Sequence, residues 1–167
     1  MARRGNHYEA AFEQFLRDRQ APYVAVDETK RSLFVETSLK SLDFIVTGPS
    51  GCNWLVDVKG RQFPSGEKKQ YWKNWSTQDD LTSLVRWQNL FGRRFCGLLV
   101  FAYNVVGERA PLPAEHLFGF RQRRYGFVAV LLEHYLCYSR RLSLKWNTVT
   151  MPARRFRECA RPMTALL

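Results

Sequence analysis

The sequence is poor in cysteine. Its four cysteines include no C-x-x-C pair, so their spacing supports neither a disulfide framework nor a common zinc motif. We predict reduced thiols, and a zinc site that combines the cysteines with the three histidines remains an alternative without positive support. The residues concerned are Cys52, Cys96, Cys137, Cys159, His7, His116 and His134.

Two further absences concern membranes and secretion. No stretch approaches the roughly 20 consecutive apolar residues that a transmembrane helix needs. The start, MARRGNHYEAAFEQ, has an arginine pair but lacks the apolar run of a secretory signal. The sequence therefore favours a cytoplasmic protein without a membrane partner.

Acidic residues are outnumbered, with 15 Asp and Glu against 26 Lys and Arg and a formal net charge of +11. Such a positive field attracts phosphate polymers, so nucleic acid is the first expected partner. The 167 residues, 46% of them hydrophobic, suffice for one core, and we predict a single domain over 1–167. Ten of the basic residues follow position 120, which predicts a basic C-terminal extension over about 118–167.

Two helices are predicted from the spacing of apolar residues. NHYEAAFEQFLRDR, residues 6–19, has an apolar face and an asparagine at its first position to cap it. DDLTSLVRWQNLF, residues 79–91, is the second, because Thr77 and Asp80 have capping-box spacing and Gly92 follows.

Strands are predicted where β-branched and aromatic residues cluster between turn residues. The predicted strands are YVAVD (23–27), SLFVE (32–36), SLDFIVT (41–47), NWLVDVK (53–59), CGLLVFAYNVV (96–106) and FVAVLL (127–132). The run at 96–106 is almost wholly apolar, as expected of a strand covered on both faces.

Two of these strands carry charges among apolar residues. In WLVDVKGRQ, Asp57 and Lys59 point to one face and the valines beside them to the other. The commonest explanation is an exposed ion pair of little energetic worth. Asp43, however, shares its face with Ile45, and a carboxylate in apolar company needs another explanation.

A divalent cation would explain both anomalies. Adjacent strands joined by a turn bring Asp43 and Asp57 together, and close carboxylates repel unless a cation lies between them. Mg²⁺ prefers oxygen ligands, so these carboxylates and the backbone carbonyl of Val58 would suffice to hold it. Lys59 would stabilise negative charge on an attacked phosphodiester, and Glu9 on the first helix would orient a water molecule.

The order of these residues resembles the PD-(D/E)XK nuclease superfamily, which includes restriction enzymes and archaeal Holliday junction resolvases. The resemblance covers residues 5 to about 105 and rests on an aspartate followed by D-V-K, between two helices. GNHYEAAFEQFL also resembles the signature of an uncharacterised bacterial group called HYExAFE. Two departures are Leu42 in place of the proline of the superfamily name and Asp57 where many members have glutamate.

The resemblance implies a restriction endonuclease-like αβββαβ core, an α/β fold with a central mixed sheet flanked by helices. It implies a nuclease that hydrolyses DNA with Mg²⁺ or Mn²⁺, with structured or branched DNA among the candidate substrates, and by family analogy a homodimer. The residues that match the family motif are Glu9, Asp43, Asp57 and Lys59, with Asp43 and Asp57 as metal ligands. One alternative is a noncatalytic nucleic-acid-binding module on the same scaffold, and another is a domain that docks an acidic protein.

The stretch 61–75 interleaves basic and aromatic residues, which is typical of a strand-contacting element. The predicted nucleic-acid-binding residues are Arg61, Lys68, Lys69, Lys73, Trp72 and Trp75. Core packing is the alternative for the two tryptophans, and it is the preferred interpretation for Trp87. Gln88 lies on the apolar face of the second helix, either as a bonded buried amide or as a site-lining residue. We expect Glu13 to pair with Arg17, one helical turn away.

Overall fold

The structure, a computed structural model, describes residues 6–27 and 39–167. Helices cover both faces of a mixed central sheet. The helices are α1 His7–Asp18, α2 Gln78–Phe91, α3 Leu132–Tyr138 and α4 Ala153–Cys159, with short 3₁₀ turns at Ala114–His116 and Met163–Ala165. The strands are β1 Tyr23–Ala25, β2 Phe44–Thr47, β3 Asn53–Phe63, β4 Ser76–Thr77, β5 Phe95–Val105, β6 Leu117–Phe120, β7 Arg123–Leu131, β8 Arg140–Ser143, β9 Thr148–Thr150 and β10 Arg161–Pro162.

The central sheet has the strand order β1-β2-β3-β5-β7-β10, and β6 pairs with the first half of β7. Strands β3 and β5 run parallel over eleven residue pairs, and the other neighbours are antiparallel. A parallel pair needs a crossover connection, and the chain between β3 and β5 includes α2. A smaller sheet with the order β4-β9-β8 joins the start of α2 to a hairpin far along the chain.

Two hydrophobic clusters cover the two faces of the central sheet. Because side chains alternate along a strand, β3 directs Val56 and Val58 toward α1 and Leu55 and Phe63 toward α2, α3 and α4. Strand β5 is buried from Gly97 to its end, as its apolar sequence predicted. Among the described residues, no helix is long and apolar enough to cross a lipid bilayer.

The two predicted helices are confirmed together with their caps. The Asn6 side chain accepts a hydrogen bond from the Tyr8 backbone N–H, and the Thr77 hydroxyl accepts one from the Asp80 N–H. Helix α2 ends before Gly92, whose φ of 91° lies in the left-handed region that favours glycine. Each cap satisfies a backbone donor that the helix itself leaves unpaired.

The strand predictions have mixed outcomes. The strand at 32–36 lies outside the described residues, and the strand at 23–27 is shorter than predicted, ending at Ala25. The strand predicted at 127–132 belongs to the longer β7, while its last residue, Leu132, opens α3. Residues beyond 105 thus contribute β6, β7 and β10 to the central sheet.

Candidate active site

Asp43 and Asp57 lie side by side at one end of the β2–β3 pair. The register of the two strands ends with the pair Phe44 and Val56, and Asp43 and Asp57 are the residues next to that pair. Asp43 directly precedes β2, and its N–H donates at 2.9 Å to the carbonyl of Val56, the partner of Phe44, so the regular register ends at Phe44. The Val58 N–H donates to Asp43 Oδ2 at 2.7 Å, so the Asp43 side chain lies against β3 beside Asp57. The two carboxylates therefore face one cavity of about 290 Å³.

Helix α1 brings Glu9 to the same cavity because it approaches β3 very closely at Gly60. A Cβ atom at Gly60 would lie 2.1 Å from the ring of Tyr8, so only glycine allows this contact. Glu9 follows Tyr8 in the first turn of α1, and its Oε1 accepts a hydrogen bond from the Asn6 side-chain amide at 3.1 Å. Glu9 consequently lines the cavity with the two aspartates.

The Lys59 ammonium lies between two carboxylates. Its Nζ is 2.9 Å from Asp57 Oδ2 and 2.7 Å from Asp80 Oδ2, and all three side chains are about 15% exposed. Asp80 Oδ1 is also 2.8 Å from the Nζ of Lys40, at the exposed mouth of the cavity. These contacts form a chain of alternating charges from the interior of the cavity to its mouth.

Asp80 was not among the predicted site residues. Its spacing from Thr77 placed it in the first turn of the second helix, where its backbone N–H donates to the capping Thr77 hydroxyl, and that place gave no reason to look for another role. The missed residue is a second carboxylate partner of Lys59, next to Asp57.

Burial and charge shift the pKa values of these groups in opposite directions. Burial, followed by the charges of Asp57 and Glu9, raises the pKa of Asp43 well above its usual value, although the Val58 N–H donates to Asp43 Oδ2 at 2.7 Å. Burial also raises the pKa of Asp57, against the opposing charge of Lys59. At Asp80 burial acts in the same direction, but Lys59, Lys40 and Thr77 together outweigh it and lower the pKa to about 2.

Lys59 stays protonated despite its burial. Burial by itself lowers the pKa of this ammonium, but the charges of Asp57 and Asp80 and their hydrogen bonds more than offset it, and the pKa is raised. The cavity therefore holds a permanent positive charge on Lys59 beside the carboxyl groups of Asp43 and Asp57. The Lys59 ammonium is in direct contact with the Asp57 carboxylate.

The donor set of the cavity fits a hard divalent cation. The charges of Asp57 and Glu9 raise the pKa of the buried Asp43, which is the situation that a cation would relieve. Carboxylate and carbonyl oxygens are the ligands that Mg²⁺ and Mn²⁺ prefer, and Mg²⁺ retains several waters. Within residues 6–27 and 39–167, no three His, Cys, Asp or Glu side chains already form a ligand cluster.

Arg61 and Trp75, two of the predicted nucleic-acid-binding residues, contact each other. The Arg61 guanidinium lies 4.1 Å from the Trp75 ring centroid and donates hydrogen bonds to the carbonyls of Trp75 and Gly60. Burial lowers the pKa of Arg61, which is half-buried. Arg61 thus fixes Trp75 to the end of β3 that follows Lys59.

The other members of the predicted stretch are divided between core and surface. Trp72 packs edge-on against Phe63 and Tyr103, which is the core alternative of the sequence analysis. Lys68 and Lys69 are exposed in the turn after β3, and Lys73 is half-buried. Lys68, Lys69, Lys73 and Trp72 are absent from the cavity lining.

Three further residues of α1 and α2 have defined places. The Gln88 side chain accepts a hydrogen bond from the Gly97 N–H at 2.6 Å and does not line the cavity, so the structure favours the bonded-amide alternative. Trp87, expected in the core, is half-buried at the cavity, where its Nε1 donates to the Lys40 carbonyl. The Glu13–Arg17 pair is confirmed at 3.3 Å.

Comparison with known proteins shows the fold. No family model and no curated protein sequence matches the chain. Among solved structures, the chain is similar to the Holliday junction resolvase Hjc of the archaeal hyperthermophile Archaeoglobus fulgidus, with a TM-score of 0.54 and 14% identity over 96% of this chain and 98% of that chain. The chain has the mixed α/β fold of restriction endonuclease-like nucleases, as predicted. Its relation to the HYExAFE group stays a prediction.

Proposed function

We propose that this protein is a metal-dependent nuclease that hydrolyses phosphodiester bonds in DNA, with branched DNA as the first candidate substrate. The observation that carries the proposal is the convergence of Glu9, Asp43, Asp57 and Lys59 on one cavity from three separate elements. The similarity to a resolvase fold supports the substrate class, and the net charge of +11 supports an anionic partner.

Asp43, Asp57 and the carbonyl of Val58 are the groups that would hold Mg²⁺ or Mn²⁺. When bound, such a cation supplies a Lewis acid and lowers the pKa of water. Lys59 contributes a fixed positive charge where negative charge develops on the phosphate, and the low solvent exposure of the cavity strengthens that interaction. Glu9 accepts a hydrogen bond from an attacking water and so orients it.

The direct test incubates the purified protein with linear duplex, flapped, four-way and single-stranded DNA, with and without Mn²⁺. We expect cleavage of at least one substrate that requires the metal and is lost in Asp57→Asn. Asp79→Asn is the matched control, because Asp79 is an exposed carboxylate in the first turn of α2. Cleavage that persists in Asp57→Asn contradicts the proposed site.

The alternative is a noncatalytic nucleic-acid-binding module. It has one specific observation in its favour, because the Lys59 ammonium already balances the charges of Asp57 and Asp80. Calorimetric titration with Mn²⁺ separates the two functions. If the protein is a nuclease, the wild type should bind Mn²⁺ and Asp43→Asn should not. If the wild type gives no heat of Mn²⁺ binding, the noncatalytic module is favoured.

A further inference from the structure

The hairpin of β8 and β9 exposes large apolar side chains at its tip. Leu144 is 76% exposed, Trp146 69% and Leu142 54%. Leu142 and Trp146 line a groove of about 440 Å³, which is within the range of small-ligand pockets. Trp75 and Lys73 line the same groove from the stretch before α2. Exposed aromatic and aliphatic groups of this size at a concave surface indicate a binding site.

The charge around this groove selects the class of ligand. Residues 139–150, SRRLSLKWNTVT, include Arg140, Arg141 and Lys145 and no acidic residue. The Lys145 ammonium lies 5.2 Å from the centroid of the Trp146 ring. An apolar groove with an aromatic wall, with Lys73 in its lining and Lys145 against its Trp146 ring, complements a planar base that is attached to a phosphate backbone. A neutral apolar ligand would leave the Lys73 and Lys145 ammonium groups without a role.

The groove is joined to the cavity through the start of α2. Strand β4 pairs with β9, with Thr77 opposite Thr148, and the Gln78 N–H donates to the Asn147 carbonyl at the hairpin tip. Thr77 lines the groove and also caps the helix turn that carries Asp80. On the other side, Arg61 of β3 stacks on Trp75. The hairpin is thus fixed relative to Lys59 by backbone and side-chain contacts.

We propose that the groove between Trp75 and Trp146 binds an unpaired base of the DNA strand that enters the candidate active site. Bases within a duplex are stacked on both faces and do not present a free ring, so only an unpaired base enters the groove. The proposal extends the proposed function, because it assigns the substrate an unpaired nucleotide beside the cleaved bond. Binding to the groove itself requires neither metal nor cleavage.

The test measures binding in the absence of divalent metal, by fluorescence anisotropy of a labelled single-stranded DNA. The same strand with abasic sites retains the phosphates and removes the bases. We expect Trp146→Ala to bind the complete strand about 10-fold more weakly than the wild type, as removal of one stacking aromatic does. On the abasic strand the variant and the wild type should bind equally, because the phosphate contacts are unchanged.

Two control variants keep the result interpretable. Trp146→Tyr preserves a stacking ring and should restore most of the affinity for the complete strand. Leu90→Ala removes an apolar side chain that is 61% exposed at the far end of α2 and should leave both affinities unchanged. Because Trp146 is itself 69% exposed, its removal leaves the core intact, which far-UV circular dichroism checks.

Equal affinities of Trp146→Ala and the wild type for the complete strand would overturn the proposal, as would equal losses on the complete and abasic strands. The latter would assign Trp146 to phosphate contacts or to the shape of the hairpin. These outcomes are independent of catalysis. If Trp146→Ala shows the base-dependent loss of affinity but the wild type cleaves no DNA, only the proposed nuclease function is contradicted. If the wild type cleaves DNA but Trp146→Ala shows no such loss, only the proposal for the groove is contradicted.

Discussion

The acidic cavity and the hairpin groove both adjoin the start of α2, but they are lined by different kinds of side chain. The cavity holds Asp43, Asp57 and Lys59, which are charged and mostly buried. The groove is lined by apolar and aromatic groups, and its outermost member, Trp146, is largely exposed. Buried charges are costly and need fixed partners, whereas exposed rings on a hairpin cost little and tolerate varied ligands.

This difference separates chemistry from affinity. Charges that are held in place by a packed sheet can stabilise a transition state, because they need no reorganisation when charge develops. The groove, by contrast, offers contact area without a preorganised charge. Variants of the two regions should therefore affect different kinetic constants.

Lys59→Gln should produce the largest effect. It removes the fixed positive charge of the cavity, so we expect kcat for cleavage to fall about 10²- to 10³-fold, which is typical for loss of one electrostatic contact to the transition state. DNA affinity without metal should be unchanged, because Lys59 is about 15% exposed and faces Asp57 and Asp80. Single-turnover kinetics and anisotropy measure the two quantities.

The hairpin variant supplies the opposite half of this comparison. Trp146→Ala should weaken binding and leave single-turnover cleavage at saturating protein near the wild-type rate. Lys59→Arg, which retains the charge but not the shape, should lie between Lys59→Gln and the wild type. If Lys59→Gln weakened binding and left the saturated rate intact, the two regions would not divide the work in this way.

Asp80→Asn should have the second largest effect, on stability. The pKa of Asp80 is lowered to about 2, mainly because burial is outweighed by Lys59, Lys40 and Thr77. The ionised carboxylate therefore stabilises the fold above its unfolded pKa of about 4, and this contribution is lost as the pH falls toward 2. We expect the variant to lose about 1 to 2 kcal/mol in free energy of unfolding at pH 7.

Urea unfolding at several pH values measures this loss. The gap between Asp80→Asn and the wild type should be constant from neutral pH down to about 5 and close as the pH falls further. Asp79→Asn removes a neighbouring exposed carboxylate and should give no comparable gap. A gap that stayed constant down to pH 2 would mean that the hydrogen bonds of Asp80, not its charge, stabilise the fold.

Local patterns in the sequence explain how much of this comparison was predictable. The caps of α1 and α2 and the cross-strand meeting of Asp43 and Asp57 follow from spacing within short segments. The β8–β9 hairpin does not, because its partner strand β4 lies about 70 residues earlier and spans two residues. Pairing between strands so far apart in the sequence depends on tertiary packing, and no periodicity in the basic C-terminal segment predicts that β9 pairs with β4.

Asp80 illustrates a different limit. The capping-box spacing alone explained why an aspartate follows Thr77, so there was no reason to expect the ion pair of Asp80 with Lys59 from the sequence. Trp87 is similar, since core packing was its preferred interpretation, whereas the structure leaves it half-buried in the lining of the cavity. Sequence patterns assign a residue to an element, but the packing of two elements decides what the residue contacts.

Asp43→Asn should have the smallest effect, and it should stabilise the protein. The pKa of Asp43 is raised by burial and by the charges of Asp57 and Glu9, so its ionised form disfavours the fold at neutral pH. Asparagine removes the charge and retains an oxygen that accepts the bond from the Val58 N–H. Without metal, we expect the variant to gain about 1 kcal/mol in free energy of unfolding at pH 7.

The sign of this effect reverses the usual behaviour of a carboxylate and so identifies its cause. Wild-type stability should rise relative to the variant as the pH falls through the raised pKa of Asp43. In that pH range the folded state binds a proton at Asp43, whereas the unfolded state is still ionised there. Mn²⁺ should raise the melting temperature of the wild type and not that of Asp43→Asn, since only the carboxylate attracts the cation. If the variant were less stable than the wild type in a chelator at pH 7, the acidic cavity would be a structural ion network, and its division of labour with the hairpin groove would have no basis.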